Sequence, residues 1–333
     1  MKESLGSIPV PWKITVVLAI AGLVVLPHCA TASSAPEDMF PQGEPLIYPG
    51  QRDAGDRYLS SVMVMVGSSG VSGTCTGILL HQQLVITAGH CVCGRRAPRA
   101  SDKPPGRPAR KDGSYQKATA LQGVEVTNII DTQGPCATAA DVFTVSYASS
   151  QGQAQERGKP KASHGGVMVH PGFEIIFGRR GDEAPHVLWS NADLAAILLE
   201  EPVPFEVPPL DLADAEVQAG DLITMIGFGP GSTFAEYGVR HYGDNKVSRL
   251  ILLETESAVF RTEETRLPDG AAASHARKGD SGGACIKKGA RNMLVGITTV
   301  GAQAPGGKEM SIFTSVYSHR RWLLQMLERA GNM

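Results

Sequence analysis

Residues 84–91 read Leu84-Val85-Ile86-Thr87-Ala88-Gly89-His90-Cys91. Four apolar or β-branched residues, set off by turn-forming neighbours, read as a short strand, and the chain then delivers a histidine just past its end. The same pattern recurs on both sides. Upstream lie Ser61–Val66 and Gly77–Leu80. Downstream lie Gly166–Val169, Ala195–Leu199, Leu222–Ile226, Val247–Leu253, Ala284–Lys287, Met293–Thr299 and Ile312–Val316. These runs are short, punctuated by Gly, Pro and Asp, and not interleaved with helical periodicity. That argues against a doubly wound fold and predicts an all-β protein built as barrels or a sandwich. One helix is expected at the C-terminus, over 318–330, with Ser318 as its cap and Trp322, Leu323, Met326 and Leu327 on one face.

The chain has 333 residues, 42% of them hydrophobic, which is enough for one large or two medium cores. Its 38 glycines, 22 prolines and 6% aromatic content fit many turns and few long helices. A formal net charge of −2 argues against nucleic acid as a partner. One basic, Pro-rich run, Gly94–Gly113, breaks the balance and reads as a solvated surface loop, with an anionic docking loop or a processing site as the sharper alternatives.

The start reads as an export signal over residues 1–32. Lys2 and Lys13 precede the apolar run Ile14–Leu26, too short for an ordinary membrane span, and Ala30-Thr31-Ala32 supplies a small-x-small cleavage pattern; an uncleaved membrane anchor is the alternative reading. The expected product is secreted, extracellular or periplasmic, with no stable membrane insertion after cleavage. Residues 33–46 are polar and Pro-rich and read as a propeptide or linker. Five cysteines then remain, Cys75, Cys91, Cys93, Cys136 and Cys285; the number is odd, so one thiol is left over in a monomer.

Three motifs stand in order: Thr87-Ala88-Gly89-His90-Cys91, Asn191-Ala192-Asp193-Leu194-Ala195 and Gly279-Asp280-Ser281-Gly282-Gly283. Singly, each has a bland reading: a structural His-Cys pair, a commonplace Asp, a turn. Together, in the order His, Asp, Ser and each at a strand boundary, they resemble the chymotrypsin/trypsin family. Flanking features extend the resemblance over roughly residues 47–330: Cys75 ahead of His90, Val169-His170-Pro171-Gly172-Phe173 and Glu201-Pro202 around the aspartate, Gly227-Phe228-Gly229, and Gly296–Gly301.

The resemblance implies two six-stranded antiparallel Greek-key barrels packed together, the first over about 47–205 and the second over about 206–317. It also implies an endopeptidase, acting as a monomer on protein or peptide substrates. His90 is then the general base, Asp193 its orienting carboxylate and Ser281 the nucleophile, because a serine hydroxyl is a poor nucleophile without a base. The amides of Gly279 and Ser281 form the oxyanion hole. Asp280 pairs with a terminus created at Ile47, although Leu46 is not the basic residue usual before such a site. Thr299, Val300 and Gly301 bind substrate backbone, His275 lies at the base of the primary pocket and Ser311 on its wall. Cys75 and Cys91 form a disulfide.

His275 is neither acid nor serine, which argues against a preference for Arg or Lys. Arg277 and Lys278 near the mouth lend positive potential or form a solvated rim. Cys93–Cys136 would staple the long stretch between His90 and Asp193, where Gly94–Gly113 and Ser146–Ser163 read as loops. Cys285 reads as a small core residue. No HExxH, paired CxxC or cofactor motif is present, so neither metal nor cofactor is expected. The competing function is a non-catalytic secreted binding protein on the same fold; an acyl hydrolase with a GxSxG elbow orders its triad differently.

Overall fold

The computed structural model describes residues 47–333, apart from 69–70, 100–101, 103–123, 151–152, 157–158, 183, 209, 230–237, 254, 256, 290–291 and 304–306. The expected signal (1–32), the propeptide or linker (33–46) and most of the basic run lie outside the described residues.

The strands in chain order are β1 (Gln51–Arg52), β2 (Ser61–Ser68), β3 (Val71–His81), β4 (Leu84–Thr87), β5 (Val124–Asp131) and β6 (Ala139–Thr144). Next come β7 (Tyr147–Ser150), β8 (Gln153–Glu156), β9 (Lys161–Val169), β10 (Glu174–Arg180), β11 (His186–Asn191) and β12 (Ala195–Leu199). The second half holds β13 (Asp211–Leu212), β14 (Leu222–Gly227), β15 (His241–Leu252), β16 (Ala258–Glu263), β17 (Ala284–Lys287), β18 (Met293–Gln303) and β19 (Glu309–Ser315), then helix α1 (Arg320–Gly331).

Two closed six-stranded antiparallel barrels result. The first runs β12-β4-β3-β2-β6-β9 and closes on itself. The second runs β15-β14-β17-β18-β19-β16 and closes through β16 pairing with β15. Closure removes exposed strand edges and explains why β4 is buried at all four positions: one face fills the barrel and α1 covers part of the outside. A continuous apolar cluster runs from Val62, Leu79 and Ile86 through Met225, Phe260 and Phe313 to Leu323 and Met326 of the helix. Among the described residues, no helix is long and apolar enough to cross a membrane.

Three features depart from the sequence reading. First, the stretch between His90 and Asp193 is largely sheet rather than loop. β5, β10 and β11 form a separate three-stranded antiparallel sheet, and β7–β8 a hairpin within the expected loop Ser146–Ser163. Ile129, Ile176 and Trp189 of the added sheet pack against Leu253 and Val259 of the second barrel, so apolar burial holds it across the two barrels. Of the described residues of the basic run, Arg95, Ala97, Pro98 and Arg99 are exposed, as the surface-loop reading has it, but Arg96 is anchored by Asp131 and Asp102, and Arg95 stacks over Phe177 at 4.9 Å.

Second, residues 47–52, expected with the first barrel, join the second: Gln51 and Arg52 pair with Tyr242 and His241, and Tyr48 bridges His275. Arg240 then clasps the two halves. Fully buried, it meets Asp53 at 2.8 Å and Asp56 at 2.7 Å, donates to Val145 O at 3.0 Å and stacks over Tyr147. Third, Ser318 does not cap α1. Its hydroxyl donates to Glu216 at 2.5 Å, and the residue at the cap position is His319, without a side-chain cap bond.

Candidate active site

His90 sits in a single 3-10 turn, Gly89–Cys91, immediately after β4. The Cys75–Cys91 disulfide ties that turn to β3, and Cys93–Cys136 closes the loop that follows. Both sulfurs beside His90 are spent on each other, so neither is a thiolate ligand, although they cluster with the imidazole. Asp193 follows β11 and is fully buried. Its carboxylate accepts twice from His90: from the backbone N–H at 2.9 Å and from Nδ1 at 2.8 Å. That fixes the ring and directs the proton to Nδ1, leaving Nε2 as an acceptor. Ala192 at φ 46 makes the sharp bend that turns Asp193 inward.

Ser281 stands in the tight turn before β17, where Asp280 N–H bonds Arg277 O and Gly283 N–H bonds Asp280 O. The turn is held against the first barrel by Thr76, a fully buried residue of β3 that sequence reasoning passed over. Thr76 N–H donates to Ser281 O at 2.8 Å, and its hydroxyl donates to Gly279 O at 2.8 Å while accepting from Phe228 N–H at 2.9 Å. Gly282 docks there at φ +80. A Cβ on it would lie 2.1 Å from Thr87 Oγ1 and 3.0 Å from Ala88 N, so only glycine lets the turn approach the strand that leads to His90.

Within this arrangement the Ser281 hydroxyl donates to Thr299 O at 3.4 Å and not to His90. Rotation about Cα–Cβ redirects a serine hydroxyl from such a carbonyl to another acceptor. The amides of Gly279, at φ 98, and of Ser281 donate to no protein acceptor among the described residues. Two N–H groups left open beside a hydroxyl are the donor set an oxyanion requires.

Asp280 points the other way, into the second barrel, and is buried. Its carboxylate accepts from the amides of Ile47 at 3.2 Å, Gly229 at 3.1 Å and Arg277 at 2.9 Å. Burial outweighs these donors and pushes its pKa up to about 6. Ile47 itself is buried.

The expected specificity residues gather on the far side of Ser281. Val300 pairs in register with Ile312, and Gly301 with Ser311. Thr299 Oγ1 shares a hydrogen bond with Thr314 at 3.0 Å. His275 is buried, neither ring nitrogen has a partner, and burial followed by the nearby Arg277 pushes its pKa down to about 4. Arg277 is not a free rim charge, because its guanidinium pairs with Glu309 at 3.0 Å; Lys278 is exposed. Cys285 is a free thiol, buried, with burial raising its pKa, as befits a packing residue.

The arrangement can perform acyl transfer: a hydroxyl, an oriented imidazole and open amides converge where two barrels meet. No curated protein matches the chain in a sequence comparison. The model of the Trypsin family matches residues 50–133 and 126–323, and the chain therefore belongs to that family of serine proteases.

Proposed function

We propose that this protein is a secreted endopeptidase that cleaves protein substrates through an acyl-enzyme. Ser281 attacks the scissile carbonyl, His90 Nε2 takes its proton and returns it to the leaving amine, and buried Asp193 holds the imidazole and stabilises its charged form. The amides of Gly279 and Ser281 receive the oxyanion, a donor worth about 3 kcal/mol of transition-state stabilisation each. The observation that carries this reading is the pair of hydrogen bonds from His90 to a fully buried Asp193, beside a serine turn with two uncommitted amides. Secretion is supported by the two disulfides and by the N-terminal sequence pattern.

Maturation belongs to the same proposal. Cleavage after Leu46 converts the Ile47 amide, 3.2 Å from Asp280, into an ammonium facing a buried carboxylate. Covalent labelling by a fluorophosphonate tests the assignment. Label on Ser281, slowed severely in His90→Ala, is expected. A chain beginning at Ile47 that takes up no label, or takes it elsewhere, refutes it.

A further inference from the structure

Two backbone segments face each other beside Ser281: 275–277, which leads into the nucleophile turn, and 299–301 of β18. The Ser281 hydroxyl lies 3.4 Å from Thr299 O, which puts the second segment beside the nucleophile, and the family resemblance seats the side chain before the scissile bond between the two. Three contacts draw them together. The Ala276 carbonyl oxygen lies so close to Gly301 that a Cβ there would be 2.1 Å from it. The Ala276 amide donates to the hydroxyl of Ser311 at 2.8 Å, and Ser311 is fully buried in β19. Arg277 reaches Glu309, at the start of β19, through an ion pair of 3.0 Å.

A flat ring or a long chain inserted between two backbones needs about 3.5 Å of clearance on each face. Backbone contact between Ala276 and Gly301 leaves none. Among the described residues no unpaired carboxylate awaits a cation here, because Glu309 is neutralised by Arg277. His275 is 3% exposed and the charge that acts on it is that of Arg277, while Asp280 is occupied by three amides. Resting on the endopeptidase reading above, we infer that the primary side-chain slot is shallow and takes small side chains, alanine or serine. It turns away arginine, lysine, phenylalanine and leucine. Ser311 and the Ala276–Gly301 contact set the limit.

The test uses tetrapeptide substrates that differ only in the residue before the scissile bond: alanine, serine, leucine, phenylalanine, lysine or arginine. Active enzyme is counted by fluorophosphonate labelling of Ser281. The expected kcat/KM for alanine or serine exceeds that for phenylalanine and arginine by about 100-fold. Ser311→Gly, which removes both the tie and its side chain, should raise relative acceptance of leucine and phenylalanine by about tenfold. Ser311→Ala keeps most of the volume, loses only the hydrogen bond, and should shift acceptance the same way. Equal or faster cleavage after phenylalanine or arginine by the wild type overturns the inference. So does a labelled enzyme that cleaves neither small-residue substrate, or a profile unchanged in both variants. Failure to label Ser281 at all refutes the endopeptidase reading instead.

Discussion

Removing residues 33–46 should change how the protein's stability depends on pH, and Asp280 sets the size of the change. In the uncleaved chain its carboxylate is buried with three amide donors, burial outweighs these and the charge of Arg277, and its pKa stands at about 6 against an ordinary 3.8. A carboxylate with a raised pKa binds its proton more tightly folded than unfolded. Its stabilising effect is therefore complete below the ordinary value and lost as pH rises through about 6. The shift corresponds to about 3 kcal/mol. A chain beginning at Ile47 replaces the amide 3.2 Å from the carboxylate with an ammonium, which holds Asp280 ionised and removes the penalty. Urea denaturation of the two chains, both carrying Ser281→Ala to prevent self-cleavage, measures the difference from pH 4 to pH 7. The gap in unfolding free energy should widen by about 3 kcal/mol in favour of the shorter chain. His170, His275 and His319, each pushed down to about 4 by burial, act oppositely, since their contribution is lost as pH falls from 6.5 towards 4. They are common to both chains and cancel. Parallel curves with no widening would refute the role given to Asp280.

Gly282→Ala should abolish activity and cost more than about 3 kcal/mol in urea denaturation, because φ +80 and a Cβ 2.1 Å from Thr87 Oγ1 force the nucleophile turn off the first barrel. Arg240→Ala should destabilise by about 3–5 kcal/mol by leaving Asp53 buried without its partner, whereas Arg240→Met paired with Asp53→Leu should recover much of the loss. Asp193→Asn should lower kcat by about 10⁴-fold with the circular dichroism spectrum unchanged, because an amide in that position favours the wrong imidazole tautomer.

The sequence disclosed what is local and withheld what is paired across long separations. Leu84–Thr87 announces a strand because its residues are β-branched or apolar and its neighbours break the run, and His90 follows it as expected. Asp193 and Ser281 were legible for the same reason: each lies in a short motif at a strand end. The β5–β10–β11 sheet escaped notice although Ile175 and Ile176 read as apolar. Its stability comes from the pairing of Ile175 with Ile130 and of Ile176 with Ile129, and from Trp189 clustering with Val259 of the second barrel, contacts that no short window contains. Arg240 looks like an ordinary surface residue until Asp53 and Asp56, nearly two hundred positions away, enclose it. Thr76 is equally silent, since its three hydrogen bonds go to Ser281, Gly279 and Phe228. Ser318 carried a plausible cap signal, but Glu216 offered a charged acceptor and won it.

Proteolysis itself remains the most direct test of the assignment. A chain beginning at Ile47 should hydrolyse casein, and the same chain with Ser281→Ala should fall by roughly a million-fold in turnover. Casein hydrolysis that survives Ser281→Ala undiminished, or a correctly folded wild-type chain that leaves casein intact, contradicts the account.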